Sequence, residues 1–386
     1  MQEIPFVLAK TPAASSLVDK FQEVEFSGIY SNYGPKNTQF EAALQSRLFG
    51  SQGCCLTVCN ATIGLMTAMK QAARKRPRTS PSPRYALMPA FTFAAAAHAA
   101  LWAGFTPLFC DIDAGSWGAC PQSERRLIAK YGSDIDLIVP YATFGNNIDL
   151  DHYERLHRET GAGIVVDAAA SLGAIDERGR GFGTGFRHPV VYSMHATKTF
   201  GVGEGGVIYC ADPDTIATLR IMGNFGFGEP RCATMPGLNS KMTEMTAVVA
   251  LECLKTINDV SDKREMLADA YRRSLISEFK LQSRTGRRTA YQFMPLLLPK
   301  WVSRDAVRAS LSAQGIGTGA YFSPHLMQQP YFRAQCEADD LTVTDDVGAR
   351  ILSLPLWTDM TTSIVERVVT ALHQCVLSNP ADQRAA

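Results

Sequence analysis

Lys198 is the residue whose sequence surroundings most directly suggest chemistry. It lies in the otherwise uncharged run 191–203, after the strand-like segment Val190–Ser193 and before a loop with four glycines. An amine that is partly removed from water has a lowered pKa and can attack a carbonyl carbon. A single lysine before a glycine-rich loop can also be structural, so its role depends on the residues that accompany it.

An acid and a turn of small residues supply two further chemical groups. Asp167 follows the apolar segment Gly163–Val166, where a buried strand is expected to end. An acid at that position either binds a ligand or caps a following helix. The turn Cys59–Thr62 joins the strand Gly53–Val58 to a helix, so N–H groups and the positive end of the helix dipole converge there. The turn therefore predicts a phosphate site, and a simple helix cap at Asn60 is the alternative.

These groups lie within an alternation of strands and helices. Short apolar strands at 85–88, 106–111, 135–139, 163–167 and 190–193 are separated mainly by helical segments. Such an alternation is typical of an α/β protein with a largely parallel sheet, and ligands bind beyond the carboxyl ends of its strands. The composition changes near Asp262. We therefore expect a large domain, 1–258, and a smaller C-terminal α+β domain, 259–386, with a strand at Ala290–Leu298.

The composition excludes several classes of protein. Lys+Arg number 38 and Asp+Glu 37, and the short basic run Arg74–Arg78 is expected to be a solvated linker, so we expect no nucleic-acid partner. No apolar run reaches the ~18 residues of a membrane span. The ten cysteines form no C-x-x-C pair and the seven histidines show no metal spacing, which predicts a reducing cytoplasm and no metal site. The loop Gly201–Gly206 matches G-x-G-x-x-G but precedes a strand, which argues against a dinucleotide site.

The lysine, the acid and the turn together match the requirements of pyridoxal phosphate (PLP). Its aldehyde forms a Schiff base with a lysine, and its phosphate binds N–H groups at a helix N-terminus. Its ring nitrogen pairs with a carboxylate, which keeps the nitrogen protonated and lets the ring accept electrons. The sequence therefore predicts PLP as the cofactor.

The ordered set of motifs resembles the DegT/StrS-type sugar aminotransferases, which have the aspartate-aminotransferase fold (fold type I). The resemblance extends from about Tyr30 to Leu377. It rests on the segments Ser31–Pro35, Val58–Thr62, Pro89–Phe93, Ala103–Phe109, Asp111–Asp113, Phe144–Gly145, Val166–Ala169, Ser193–Lys198, Gly203–Gly206, Gly237–Glu244 and Leu352–Pro355. It implies a mostly parallel seven-stranded sheet between helices, followed by the smaller α+β domain.

The resemblance also implies roles for individual residues. Lys198 would bind the cofactor covalently and move protons, and Asp167 would pair with the ring nitrogen. Further cofactor contacts are expected from Asn60, Ala61, Thr62, Phe93, Ser193 and, across a homodimer with shared active sites, Asn239. Tyr33, Tyr321 and His325 are expected to line the substrate entrance, with structural roles as the alternative for His325 and for His195.

The implied reaction transfers an amino group from an amino acid, with glutamate expected, to a keto-sugar that is expected to be nucleotide-linked. One alternative is a PLP-dependent sugar dehydratase, a branch of the family that has histidine at the position of Lys198. A second alternative is a non-catalytic sensor or scaffold that keeps the fold. Two positions depart from the family pattern: Ala170 replaces a glutamine that bonds the cofactor ring oxygen, and Gly319-Ala320 replaces an arginine that contacts sugar phosphates.

Overall fold

The computed structural model describes residues 3–74 and 83–377, so most of the linker expected at Arg74–Arg78 lies outside the described residues. Its helices are α1 (Val18–Ser27), α2 (Pro35–Leu48), α3 (Ala61–Ala72), α4 (Ala94–Trp102), α5 (Pro121–Tyr131), α6 (Leu150–Thr160), α7 (Pro213–Met222), α8 (Glu244–Lys255), α9 (Ile257–Ser274), α10 (Arg304–Ala313), α11 (Pro330–Arg333), α12 (Thr342–Arg350) and α13 (Thr362–Leu377). Its strands are β1 (Cys54–Val58), β2 (Tyr85–Pro89), β3 (Thr106–Cys110), β4 (Ile135–Ile138), β5 (Gly163–Ile164), β6 (Val166–Asp167), β7 (Val190–Ser193), β8 (Gly206–Cys210), β9 (Phe227–Gly228), β10 (Cys232–Ala233), β11 (Lys280–Leu281), β12 (Met294–Leu297), β13 (Glu337–Ala338) and β14 (Ile351–Leu354).

The local sequence sets several helix ends. The side chains of Asn60, Asp149 and Thr243 cap α3, α6 and α8 by accepting the backbone N–H three residues further on. These caps satisfy N–H groups that have no partner within the helix. Prolines begin α2, α5 and α7, where the missing N–H of proline costs no helical hydrogen bond.

The large sheet has the strand order β1-β8-β7-β6/β5-β4-β2-β3-β13. The segment 163–167 carries both β5 and β6, which pair with β4 and β7, and Tyr141 forms a bridge to Asp167. Only β8 runs antiparallel to its neighbours, β1 and β7. The predicted mostly parallel, seven-stranded sheet is therefore confirmed, and β13 adds a short strand parallel to β3 at its edge.

Helices cover both faces of this sheet, which explains its continuously apolar strands. In β2, Leu87 packs into the core that contains Phe40 of α2, whereas Met88 packs into the core that contains Leu65 of α3. All five residues of β2 are buried. Burial on both faces is the normal environment of a parallel strand. Two polar residues of this sheet, Asp167 and Ser193, stand at the carboxyl ends of β6 and β7.

The C-terminal region forms a second sheet, β11-β12-β14, which is antiparallel. It packs with α9, α10 and α13 around a separate core that contains Leu296, Leu311 and Val368. The division at residues 258 and 259 stays a prediction, because α9 crosses it and β13 returns to the large sheet. The predicted strand Ala290–Leu298 is regular only as β12, and the residues before it turn towards Lys198. No helix in the described ranges is both long and apolar enough to cross a membrane.

Candidate active site

One edge of the large sheet brings the residues predicted from the sequence together. β6 ends at Asp167 and β7 ends at Ser193, and because these strands are parallel their carboxyl ends lie at the same edge. β8 runs in the opposite direction, so its first residue, Gly206, pairs both with Ser193 and with Val58 at the end of β1. The loop that carries Lys198 connects β7 to β8 and therefore lies at this edge.

Asp167 carries a carboxyl group that is buried at this sheet edge. The residue is 2% exposed, and its Oδ1 accepts the N–H of Ala169 at 3.0 Å. Burial raises the pKa of Asp167 to about 6, while the Ala169 N–H and the charge of Lys198 act in the opposite direction. Burying a carboxylate is costly unless a cation or several donors compensate for lost water. The site is therefore suited to a ligand that brings a positive charge to Asp167.

Lys198 supplies an amine that is partly uncharged near neutral pH. Removal from water lowers the pKa of Lys198 to about 8, and the charge of Asp167 opposes this shift. The Nζ atom donates a hydrogen bond to Oε1 of Gln292 at 3.2 Å, and the Lys198 backbone N–H donates to the carbonyl of His195. A lysine with such a pKa can act both as a nucleophile and as a base at physiological pH.

The N-terminus of α3 combines a helix cap with free backbone donors. The Asn60 side chain accepts the N–H of Ile63 at 2.9 Å, so the capping role that the sequence left open is present. The N–H groups of Ala61 and Thr62 lie ahead of the first intrahelical hydrogen bonds and remain available to an anion. A Cβ atom on Gly206 would lie 2.9 Å from the Ala61 nitrogen, so glycine is needed for β8 to pass beside this helix end.

Ser193 and Phe93 lie at the same strand ends. The Ser193 hydroxyl oxygen is buried and accepts the N–H of His195 at 3.2 Å. Phe93 follows β2 and is the residue directly before α4, and it is 56% exposed. Its nearest aromatic neighbour is Phe322, at 6.3 Å between ring centroids. An exposed aromatic ring at this edge can offer its face to a planar ligand.

A sequence profile of the DegT/DnrJ/EryC1/StrS aminotransferases matches residues 13–373. The chain belongs to the DegT/DnrJ/EryC1/StrS aminotransferase family. Within it, protein Rv3402c of Mycobacterium tuberculosis is 31% identical over 376 residues, covering 96% of this chain and 90% of that protein. The dTDP-4-amino-4,6-dideoxy-D-glucose transaminase of Escherichia coli is 27% identical over 378 residues, covering 96% and 98%.

Solved structures agree with this assignment. A Bacillus cereus ATCC 10987 chain assigned as a PLP-dependent aminotransferase has a TM-score of 0.91 and 38% identity, covering 97% of this chain and 100% of that one. DesI, solved in the presence of its TDP-sugar product, has a TM-score of 0.86 and 28% identity, covering 97% of this chain and 93% of DesI. The predictions of the family, of PLP fold type I and of an aminotransferase are thereby confirmed.

Two residues of this site were not predicted from the sequence. Tyr141 follows β4 and is paired with Asp167, and burial together with that carboxylate raises the pKa of its hydroxyl. Its position at a strand end was the signal that could have identified it. Gln292 belongs to the C-terminal region, and its only sequence signal was a carboxamide within the otherwise apolar run 290–298.

Tyr33 and Asn239 contact α7 and the residues that follow it. The Tyr33 ring packs beneath the guanidinium of Arg220 at 4.7 Å, and burial raises the pKa of its hydroxyl. Asn239 is exposed and forms a bridge with Asn224. The next residue, Ser240, accepts the N–H of Cys59 at 2.6 Å, which ties this segment to the start of the turn. The roles of Tyr33 and Asn239 stay predictions.

Tyr321 and His325 differ in their surroundings. The ring of Tyr321 is partly exposed and stacks on Phe293 at 5.3 Å, and Phe293 directly follows Gln292. Its role at the substrate entrance stays a prediction. His325 is buried, and its Nε2 bonds to Asp345 at 2.8 Å. Its role as a substrate residue stays a prediction. No cluster of three potential metal ligands occurs in residues 3–74 and 83–377.

Proposed function

We propose that this family member is a PLP-dependent aminotransferase that moves an amino group from an amino acid to the ketone of a sugar. The observation that carries the proposal is the pair formed by Asp167 and Lys198 at one sheet edge. Burial shifts the pKa of the acid up to about 6 and that of the amine down to about 8. Opposite shifts in neighbouring groups are typical of catalytic sites, and here they match the two ends of one cofactor.

The residues of the site fit PLP in charge and in donor type. The buried Asp167 carboxylate, which no side chain of the described residues contacts through a hydrogen bond, suits a protonated ring nitrogen. The unpaired N–H groups of Ala61 and Thr62, with the hydroxyls of Thr62 and Ser193, suit the phosphate. The face of Phe93 suits the ring. When bound, PLP supplies an aldehyde for Lys198 and a ring that accepts the electron pair of the substrate carbon.

The protein's own groups divide the chemistry between binding and proton transfer. Asp167 holds a proton on the ring nitrogen by electrostatic attraction, because a buried carboxylate interacts strongly with a nearby cation. The amine of Lys198 removes the proton from the substrate carbon and returns it in the reverse half of the reaction. With a pKa of about 8, Lys198 keeps a fraction of free base at neutral pH that an ordinary lysine lacks.

We propose a homodimer with shared active sites as the active form. The exposure of Asn239 supports this, because its side chain is available to a neighbouring subunit. Nearby, Phe225 and Met245 are large apolar residues that stand exposed in the single chain. Exposed apolar residues beside a functional loop are typical of an interface between subunits.

The proposed acceptor is a nucleotide-linked keto-sugar, and the proposed donor is glutamate. The acceptor is supported by the E. coli relative, named for a dTDP-amino-sugar, and by DesI, solved with its TDP-sugar product. One part of the entrance differs in this chain. A Cβ atom on Gly319 would lie 2.6 Å from the Phe6 ring, so this ring leaves no room for a side chain at Gly319, in the segment that replaces the family arginine. We therefore expect different contacts to the sugar phosphates. The ten unpaired cysteines support a cytoplasmic location.

The deciding experiment follows the visible absorbance of the purified holoenzyme. Glutamate is expected to abolish the band of the Lys198-linked cofactor, and a TDP-linked keto-sugar is expected to restore it with formation of an amino-sugar detectable by mass spectrometry. A Lys198→Ala variant controls for changes that do not require the amine. If 2-oxo acids restore the absorbance band and no keto-sugar does, the sugar acceptor is rejected and the aminotransferase assignment stands. A band that no amino acid alters would reject the aminotransferase and favour the scaffold alternative.

A further inference from the structure

The strongest unassigned feature is the carboxamide of Gln292, which reaches the catalytic amine from the C-terminal region. Its Oε1 accepts a hydrogen bond from Nζ of Lys198 at 3.2 Å. This is the only hydrogen bond of that amine among the described residues. We propose that Gln292 is a positioning residue that holds the Lys198 amine whenever the amine is free of the cofactor. The proposal deepens the proposed aminotransfer and depends on it.

The hydrogen-bond network fixes which end of the carboxamide faces Lys198. The Nδ1 atom of His195 accepts the backbone N–H of Thr197 at 3.3 Å, so Nδ1 carries no proton. The Thr197 hydroxyl lies 2.9 Å from Nδ1 and therefore donates its proton to it. The hydroxyl oxygen then accepts from Nε2 of Gln292 at 3.1 Å. With its nitrogen used by Thr197, Gln292 presents its carbonyl oxygen to Lys198.

The backbone beside Gln292 is anchored to the same loop. The carbonyl of Tyr291 accepts hydrogen bonds from the Thr199 hydroxyl at 3.0 Å and from the buried guanidinium of Arg264 at 2.8 Å. The residues on both sides of Lys198 are therefore bonded to the segment 291–292. A side chain held at both its backbone and its amide nitrogen loses little further freedom when it bonds the amine, which makes it an effective positioning group.

The chemistry of a carbonyl acceptor explains what this contact achieves. An amide oxygen can accept an N–H but cannot donate to the nitrogen lone pair, so the lone pair of Lys198 is directed away from Gln292. The contact also requires an N–H on Nζ. If the nitrogen of Lys198 were joined to the cofactor by an unprotonated double bond, it would have no N–H to donate. Gln292 would then stabilise the released amine relative to the linked one, which would favour displacement of Lys198 by an incoming amino donor.

Two substitutions at Gln292 predict different outcomes. Gln292→Met keeps the length of the side chain but removes the acceptor, and we expect the first half-reaction to slow about tenfold, as for one lost hydrogen bond, with little change in the KM for the amino donor. Gln292→Glu places a carboxylate beside Nζ, so the amine stays protonated to higher pH and the rate recovers on the alkaline side. Thr197→Val, which releases the amide nitrogen, is expected to resemble Gln292→Met with a smaller effect.

The test measures Lys198 itself in the cofactor-free protein. The rate at which acetic anhydride modifies Lys198 is followed against pH by mass spectrometry of the peptide that contains it. We expect Gln292→Glu to move the midpoint upward by at least one pH unit and Gln292→Met not to raise it. The control is Gln282→Met, at a buried glutamine that bonds the carbonyls of Ser116 and Thr143, and it should alter only thermal stability.

The result that overturns the proposal is a labelling midpoint that all three Gln292 forms share, or a half-reaction rate that Gln292→Met leaves unchanged. Because the labelling needs neither cofactor nor sugar, it can succeed when the holoenzyme experiment on keto-sugars fails. If the labelling midpoints do not differ but the keto-sugar reaction succeeds, the positioning role of Gln292 is rejected and the proposed function stands. The two hypotheses are thus tested separately.

Discussion

Replacement of Asp167 by asparagine should stabilise the protein without cofactor and impair it with cofactor. Burial raises the pKa of this acid from 3.8 to about 6, so the folded chain binds the proton more tightly than the unfolded chain. A raised pKa of an acid means that stability is highest below the unfolded value and falls as pH rises through the folded value. At about 1.4 kcal/mol per pH unit, the ionised carboxylate costs the folded protein about 3 kcal/mol above pH 7.

The assay is urea unfolding of the cofactor-free wild type and Asp167→Asn at pH 9 and at pH 4.5. At pH 9, the amine of Lys198 is mostly neutral in the folded protein, so the comparison isolates Asp167. We expect the variant to be more stable by about 3 kcal/mol at pH 9 and by only about 1 kcal/mol at pH 4.5. Asp151→Asn, at an exposed and weakly paired acid, should change stability by less than about 0.5 kcal/mol at both values.

With PLP bound, the same substitution should act in the opposite direction. The variant has no charge to hold a proton on the ring nitrogen, so we expect weaker cofactor binding and a half-reaction slower by about a hundredfold or more. The reasoning is refuted if cofactor-free Asp167→Asn gains no stability at pH 9. It is also refuted if the gain is the same at both pH values, because a packing effect would not depend on pH.

Two further substitutions test Gly206, which lies beside the N-terminus of α3, and Glu244, which bonds the N-terminus of α2. Gly206→Ala places a methyl group 2.9 Å from the Ala61 nitrogen, so PLP binding measured by absorbance titration should weaken about tenfold or more. The control is Gly118→Ala, whose new atom meets nothing closer than 3.8 Å, and it should leave PLP binding unchanged. Glu244→Gln removes a buried charge that accepts the N–H groups of Lys36 at 2.6 Å and Asn37 at 3.1 Å. The substitution should lower the free energy of unfolding in urea by about 2 kcal/mol. The control, Glu177→Gln at an exposed residue, should cause no measurable change.

The sheet illustrates how much of the fold is present in local patterns. Val190–Ser193 was predicted to be a strand with its observed bounds, because an apolar, β-branched run between turn residues has few other stable environments. Less was predictable for 290–298, where only Met294–Leu297 is a strand. The residues before it bond to the loop around Lys198, and a contact across about 90 positions of sequence leaves no periodic signal.

The sequence by itself determined the three groups that a cofactor such as PLP requires. Lys198 in an uncharged run, Asp167 at a strand end and the turn Cys59–Thr62 each follow from local composition, because strand ends and helix starts are set by neighbouring residues. Together they were sufficient to predict the cofactor, and the longer ordered set of motifs from Ser31 to Pro355 carried the resemblance to the family.

Only the tertiary structure decided the energetics and the contacts of these residues. The antiparallel direction of β8 brings Gly206 beside α3, and burial by distant segments shifts the pKa of Asp167 upward and that of Lys198 downward. The carboxamide of Gln292 meets the amine because the C-terminal region folds back onto the Lys198 loop. Desolvation and hydrogen bonding depend on which atoms surround a group in space, and that arrangement exists only when the whole chain has folded.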